Sequence, residues 1–319
     1  MNKLKKVGLT ALAGTLVASV AHAGALDVTG SASLSMKSTS GAVNNNGFSM
    51  NDEATLSGGG EMDNGWNVTI SLQLDNDENS SGNGAFDNRS LTIDMGDSGT
   101  LVFNGHGGSM PVNTIDDKLP TANEEAHGSV NGSGNWGVEG LGKGAGDDGW
   151  WKYSNSNIVD SLAIDIGYVP SSANEVEGSV EVGLTYTGVD GLTVGAAFGD
   201  NKAATKEIEN TNVYATYATG AFTVGVQSNT SDHDTATSSV DMSGFGVSYA
   251  VNDELSISYG QNTVEYNTSS KVDQEATGIN FSYVMGSMTL SGGHSKVEAA
   301  GGVTGNDPDG YEVNLSFAF

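Results

Sequence analysis

Apolar and polar side chains alternate strictly along many segments of this chain. Between Leu26 and Lys37 the even positions are apolar or small, and the odd positions are polar. The same period of two recurs in segments that begin at Trp66, Leu162, Val180, Leu192, Leu255 and Tyr311. Successive side chains of a β-strand point to opposite faces, so each segment has one apolar and one polar face. The pattern predicts an all-β protein.

Short and long connections alternate between these segments. Tight turns occur near residues 63–65, 96–99, 188–191, 219–220, 252–254 and 285–287. Long polar segments occupy residues 38–51, 76–88, 169–177, 199–210, 228–240, 262–275 and 295–309. A soluble β-sandwich also explains the alternation, but it gives no reason for all long loops to share one end. Outer-membrane barrels have tight turns on one side, long loops on the other and strands of about ten residues.

The connections divide the chain into sixteen predicted strands. These are expected to start near residues 25, 52, 66, 89, 100, 150, 161, 178, 191, 211, 221, 242, 255, 276, 288 and 310. The strands near 52, 150 and 211 have the weakest alternation, so fourteen or eighteen strands stay open as alternatives. The predicted fold is a transmembrane antiparallel up-and-down β-barrel. A barrel of this size is too wide for side chains to fill, so an aqueous channel remains.

The first residues have the features of a secretory signal peptide. Lys3, Lys5 and Lys6 precede a mostly apolar stretch over residues 7–20, and Ala21-His22-Ala23 provides a small-x-small cleavage site. The alternative is an N-terminal membrane anchor, for which the apolar stretch is short. We therefore expect residues 1–23 to direct export and residues 24–319 to form a single barrel.

The composition excludes several classes of function. Asp and Glu number 39 against 12 Lys and Arg, which excludes a nucleic-acid binder that works by neutralising phosphates and a polybasic membrane-surface protein. The absence of cysteine excludes disulfides and thiolate metal sites. No Ser/His/Asp motif of a hydrolase is present, so we expect neither an enzyme nor a cofactor. Weak binding of divalent cations by acidic loops stays open.

The segment from His106 to Gly149 is the longest without alternation. Such a loop in a compact fold is often functional, and Thr121-x-x-Glu124 predicts a short helix that begins at Thr121. Candidate pore-lining residues of this third loop are Asp116, Asp117, Glu124 and Glu125, and those that alternation directs into the lumen are Lys37, Asp94, Lys152, Asp165 and Glu181. The alternation directs the side chain of Arg89, the chain's only arginine, to the outer face unless a bulge shifts the pattern. These residues predict a cation-preferring pore.

Aromatic residues also suit a membrane protein. Trp150 and Trp151 fit an interfacial aromatic belt. The last nine residues alternate and end in phenylalanine; they resemble the C-terminal assembly signal of outer-membrane barrels, with Tyr311, Phe317 and Phe319 at the aromatic positions.

The whole exported chain resembles a general, trimeric Gram-negative porin, especially those of alphaproteobacteria. The matching features are the opening strand Asp27-Val-Thr-Gly-Ser-Ala-Ser-Leu34, the hairpin spacing and the terminal Phe319. The third loop lacks the sequence motif of enteric porins. The resemblance implies a homotrimer in the bacterial outer membrane, in contact with lipid and lipopolysaccharide and inserted by the barrel assembly machinery. It also implies an inward-folded third loop and passive diffusion of ions and small hydrophilic solutes. A substrate-preferring channel and a secreted acidic surface-layer or adhesive β-protein remain alternatives.

Overall fold

The computed structural model describes residues 26–40, 45–75, 86–130, 149–170, 178–202, 207–234 and 239–319. The predicted signal peptide lies outside these residues. In these ranges no helix has both the length and the apolar character needed to cross a membrane. Sixteen strands are present: β1 Asp27–Thr39, β2 Asn45–Glu61, β3 Asn67–Asp75, β4 Asn88–Asp94, β5 Thr100–His106, β6 Trp150–Val159, β7 Leu162–Val169, β8 Ser179–Val189, β9 Leu192–Asn201, β10 Ile208–Thr219, β11 Phe222–His233, β12 Val240–Ala250, β13 Leu255–Tyr266, β14 Gln274–Met285, β15 Met288–Glu298 and β16 Asp309–Ala318.

The strands form one closed antiparallel barrel in which each strand pairs with its neighbours in sequence. The barrel closes where β1 pairs with β16, in a register that sets Lys37 opposite Glu312. The predicted fold and the predicted number of strands are confirmed. Closure also removes the unpaired sheet edges that an open sheet would expose.

Several strands are longer than the sequence predicted. The polar segment 38–51 was expected to be a loop, but β1 continues to Thr39 and β2 already begins at Asn45. Likewise, β11 continues to His233, and β13 to Tyr266. At the ends of β1 and β11 both faces of the strand are polar, so the period of two disappears although the backbone pairing continues. At the end of β13 the alternation is reversed, because Val264 is buried inside and Glu265 lies outside.

The outer face of the barrel is apolar and the inner face is polar. Phe48 and Ile279 on the outside are 75% and 63% exposed, whereas Asn229 on the inside is buried. This distribution is the reverse of that in a soluble sandwich, whose apolar faces meet in a core. Exposed apolar surface that surrounds the whole barrel requires a nonaqueous environment.

The prediction that Trp150 and Trp151 both belong to an outer aromatic belt is wrong for Trp150. Adjacent residues of a strand point to opposite faces. Trp151 lies outside, with its ring centroid 4.9 Å from that of Phe103. Trp150 points inside, where it is buried with Met110 and Val169.

A row of carboxylates follows the outer face at the long-loop ends of β9–β16. This acidic belt comprises Asp200, Glu209, Asp232, Asp241, Glu265, Glu275, Glu298 and Asp309. Some members lie directly opposite each other on paired strands, as do Asp241 and Glu265, and Glu275 and Glu298. Like charges in this arrangement repel each other and destabilise the sheet.

Candidate functional site: the constriction of the barrel

The third loop folds into the barrel. Its described part, residues 107–130, contains one short helix, α1 (Pro111–Ile115), which packs against the inner faces of β7–β10. Proline suits the first position of a helix because the missing N–H would have no helical partner there. Val112 and Ile115 are buried against Ala197 and Tyr214. The inward fold that the resemblance implied is thereby confirmed for these residues.

The predicted helix at Thr121 is wrong, because residues 121–130 form bends and turns. A capping box requires the threonine hydroxyl to accept a hydrogen bond from the backbone N–H of the residue three positions later. Here the Thr121 hydroxyl donates instead to the carbonyl oxygen of Glu124. The backbone of this segment is bonded to the wall: Ser258 Oγ accepts from Ala122 N (2.8 Å), and Asn280 Nδ2 donates to Glu124 O (2.7 Å).

The predicted loop carboxylates lie at different depths. Asp117 is exposed and Asp116 is partly buried. The carbonyl oxygen of Asp116 accepts a hydrogen bond from Asn229 Nδ2 of β11 at 2.6 Å. Burial raises the pKa of Glu124 to about 7, with further contributions from the negative charges of Glu125 and Glu312. Burial also raises the pKa of Glu125 to about 8, with Asp117 adding to the shift.

His127 lies beside this cluster in the loop. Its Nε2 is 4.0 Å from Glu125 Oε2. Burial holds the pKa of His127 well below its usual value, and the positive charge of Lys37 adds to the effect. The imidazole is therefore neutral at pH 7 and does not offset the loop carboxylates.

Glu181 points into the barrel as predicted, but it does not line the water path. It is only 1% exposed, because α1 covers it. Its Oε2 accepts a hydrogen bond from Val112 N at 2.7 Å. The residue therefore anchors the loop to the wall. Alternation correctly gave its face but carried no information about what covers that face.

Lys37 also points inside and forms an ion pair with Glu312, with Nζ 2.6 Å from Oε2. Glu312 further accepts hydrogen bonds from the side-chain amides of Asn123 and Asn314, at 3.2 and 2.8 Å. Thus Lys37, the main cation of this part of the wall, is paired. Through Asn123 the loop also reaches β16, one of the two strands that close the barrel.

The other predicted inner residues lie away from this cluster. Lys152 Nζ donates to Ser109 O at 3.1 Å, near the start of the loop. Asp165 accepts a hydrogen bond from Ser154 on the neighbouring strand. Asp94 lies at the end of β4, where its Oδ1 accepts from Gly96 N at 2.9 Å in the short turn. Asp94 is therefore far from the loop and stabilises the turn.

The wall across the lumen from Asp116 and Asp117 is formed by β1–β3, since strands eight positions apart face each other in a barrel of sixteen. Its inner positions hold mostly hydroxyl and amide groups: Ser31, Ser33, Ser35, Ser49, Asn51, Thr55, Ser57, Thr69, Ser71 and Gln73. The charged members are Asp27, Lys37, Glu53, Glu61 and Asp75. Among the described residues, this arc has no cluster of basic side chains.

Glu53 is a pore-facing residue that the sequence prediction missed. Its Oε2 accepts a hydrogen bond from Gln73 Nε2 at 2.7 Å. It shares the polar face of β2 with Asn51, Thr55 and Ser57. Asp52 lies on the other, mostly apolar face of β2. Its charge interrupts the alternation there, so the sequence did not reveal that Glu53 points inward.

Arg89 does not supply positive charge to the lumen. A bulge lies between Arg89 and Ser90, as the prediction had allowed. The side chain is nevertheless on the outer surface with Leu91 and Phe103. Its Nη2 donates to Gly105 O at 3.4 Å.

The aromatic residues of the terminal strand are all on the outer face. Tyr311, Phe317 and Phe319 are 46%, 44% and 75% exposed. Phe319 exchanges two backbone hydrogen bonds with Gly30, each of 2.9 Å. The described ranges contain no group of three or more histidine or carboxylate side chains arranged to hold a metal ion.

A family model described as a Gram-negative porin matches residues 8–267. The chain belongs to this family. It is thus an outer-membrane channel built on a β-barrel. No curated protein sequence matches this porin.

Solved structures of outer-membrane proteins, porins among them, share the fold. The chain is similar to OmpT, an outer membrane protein of Vibrio cholerae, with 13% identity over 93% of this chain and 98% of that one, at a TM-score of 0.65. An anion-selective porin from Comamonas acidovorans has 12% identity over 93% and 100%, also at 0.65. A mutant of the Rh. blastica porin has 14% identity over 92% and 100%, at 0.63.

Proposed function

We propose that this porin is a passive, non-enzymatic and cation-preferring channel for ions and small hydrophilic solutes. The observation that supports it best is the charge of the constriction. Loop carboxylates, of which Asp117 is the exposed one, face an arc of hydroxyl and amide groups. Glu124 and Glu125 add negative charge as the pH rises through their pKa values of about 7 and 8. Lys37, the cation of that arc, is paired with Glu312.

The magnitude of the preference is modest. A unit charge about 5 Å from an ion in water contributes roughly 0.8 kcal/mol before screening. This energy corresponds to about a four-fold change in ion occupancy, and salt reduces it further. Several carboxylates together therefore favour cations without excluding anions.

The fold alone does not determine the sign of the preference. A porin from Comamonas acidovorans that shares the fold is described as anion-selective. Side chains of the constriction must therefore make the difference. In this chain the only arginine, Arg89, is outside the barrel.

Reversal potentials of the purified protein in planar bilayers, across a KCl gradient, test the proposal. We expect the sign that indicates faster passage of K⁺. The double variant Asp117→Asn/Glu125→Gln should move the potential toward zero, while Asp190→Asn, in an exposed turn, should leave it unchanged. An anion-favouring sign for the unaltered protein would refute the cation preference.

We further propose that the functional unit is a homotrimer in the outer membrane. One solved OmpT structure with 14% identity is described as a trimer form. The apolar outer face would contact lipid and lipopolysaccharide, and the barrel assembly machinery would recognise Tyr311, Phe317 and Phe319. Cross-linking of the protein in its membrane should give a trimeric species. A species of single-chain mass under all conditions would argue against it.

A further inference from the structure

Glycines line the inner wall along the path of the third loop. At each of nine inner-wall glycines, an added Cβ would be within 4 Å of a loop atom. These residues, called the glycine seat below, are Gly167, Gly183, Gly199, Gly225, Gly244, Gly246, Gly260, Gly278 and Gly310. They belong to eight different strands between β7 and β16, so the loop follows the wall along this part of the barrel.

At several of these glycines the loop lies too close to the wall to leave room for a side chain. A Cβ at Gly225 would be 2.5 Å from Pro120 Cδ, and one at Gly246 would be 2.8 Å from Pro120 O. At Gly278 it would be 2.8 Å from both Cα and O of Ala126. Carbon atoms in ordinary contact are about 3.5–4.0 Å apart. Even one methyl group would therefore displace the loop.

Polar side chains of the wall hold the loop by its backbone. Asn212 Nδ2 donates to Val112 O at 2.9 Å, and Gln227 Oε1 accepts from Lys118 N at 2.7 Å. Ser258 and Asn280 make the corresponding bonds further along the loop. These contacts do not depend on which side chains the loop presents to the lumen. Asp117 and Lys118 are consequently left exposed.

We propose that the inner wall sets the size limit of the pore, through the glycine seat and the side chains that bind the loop backbone. The exposed loop side chains set the charge preference. The two properties are thus encoded in separate residues: one set fixes how far the loop projects into the lumen, and the other fixes what charge it carries. This inference rests on the proposed channel function.

The first test is the variant Gly246→Ala/Gly278→Ala, with Gly47→Ala as its control. Gly47 lies on the inner face of β2, and a Cβ there would meet no atom within 4 Å. In the double variant the bonds from Asn212 and Gln227 still hold the start of the loop, so the displaced part moves toward the lumen. We expect a lower single-channel conductance and a smaller solute limit in liposome swelling, with the cation-favouring sign retained.

A second variant, Asn280→Ala, removes a bond to the loop without adding bulk. We expect a higher conductance or larger current fluctuations, because the loop is held less firmly. In the converse experiment, Asp117→Asn should shift the reversal potential while the solute limit stays that of the unaltered protein. The altered gel mobility of unheated samples reports whether each barrel is folded.

The outcomes separate the two proposals. If the unaltered protein conducts no ions, the channel function itself fails. If it conducts, and both the glycine double variant and Asn280→Ala match it in conductance and solute limit, only the present inference is overturned. The same holds if Asp117→Asn changes the solute limit as much as the glycine variant does. Should the glycine variant not fold, Asn280→Ala decides the question.

Discussion

Lys37 and Glu312 form an ion pair across the strands that close the barrel. The Glu312 side chain has no exposed surface, and that of Lys37 is 29% exposed. Asn123 of the third loop donates to the same carboxylate. The pair therefore links the first strand, the last strand and the loop at one point.

Substitution of Lys37 by methionine should destabilise the barrel, because it leaves a buried carboxylate without its cation. Breaking a buried pair from one side costs about 3–5 kcal/mol, and the two amides on Glu312 and the partial exposure of Lys37 should keep the loss in the lower part of that range. Urea unfolding in detergent would measure it. Lys37→Met/Glu312→Gln should recover much of the loss, whereas Lys296→Met, in an exposed pair, should change little. Equal effects of Lys37→Met and Lys296→Met would contradict this role.

Cation preference should increase with pH between about 6 and 9. The pKa of Glu124 is raised to about 7 and that of Glu125 to about 8, mainly by burial. As the pH rises through these values, both groups lose protons and the loop becomes more negative. Reversal potentials at pH 6 and pH 9 would measure the change. Glu124→Gln/Glu125→Gln should abolish most of it, and a pH-independent potential in the unaltered protein would contradict the prediction.

The same two carboxyl groups should cause the third loop to be held less firmly against the inner wall at high pH. A folded-state pKa above the unfolded value near 4.5 means that the protonated form is favoured in the folded protein. Their contribution to the stability of the folded loop is therefore fully present below about pH 4.5, and it is lost as the pH rises through 7 and 8. Current fluctuations should be larger at pH 9 than at pH 6 if the loop is held by these residues. The Gln/Gln variant should have the same fluctuations at both pH values.

Alternation predicted which face each side chain occupies, because a strand constrains neighbouring residues to opposite sides. This gave the sixteen strands, the inward position of Lys37 and Glu181, and the outward position of Arg89. It failed where residues on both faces are polar, as at Ser38 and Thr39 and again at Asp232 and His233, since no contrast then marks the strand.

The third loop limited prediction of the site. The alternation placed Glu181 inside the barrel. It could not indicate that α1 covers Glu181, because that contact joins residues distant in sequence. The helix at Thr121 failed for the same reason: wall residues Ser258 and Asn280 bind the backbone groups in this segment. One usable signal was missed, namely that Ala276 and Val297 are apolar at inward positions, where the loop packs on them.

Removing one charge from the acidic belt should stabilise the barrel at low salt. Asp241 and Glu265 are directly opposite on paired strands. Favourable cross-strand pairs contribute roughly 0.2–1 kcal/mol and like charges directly opposite are destabilising, so we expect a gain of about that order. Asp241→Asn should raise the thermal midpoint in low salt. The gain should largely disappear at 1 M salt, where the Debye length is about 3 Å. Asp190→Asn, in an exposed turn, serves as control, and a destabilised Asp241→Asn at low salt would contradict the argument.

Phe319 should matter more for assembly than for the stability of the finished barrel. The residue is 75% exposed, and the two hydrogen bonds to Gly30 come from its backbone, which Phe319→Ala retains. We therefore expect a nearly unchanged unfolding transition in detergent but less folded barrel in the outer membrane of cells. Phe198→Ala, which shortens a 48% exposed outer ring on β9, is the matched control and should assemble normally. Equal assembly of both variants would mean that the terminal aromatic ring is not a recognition signal, and an unstable Phe319→Ala barrel would show that the ring acts through packing instead.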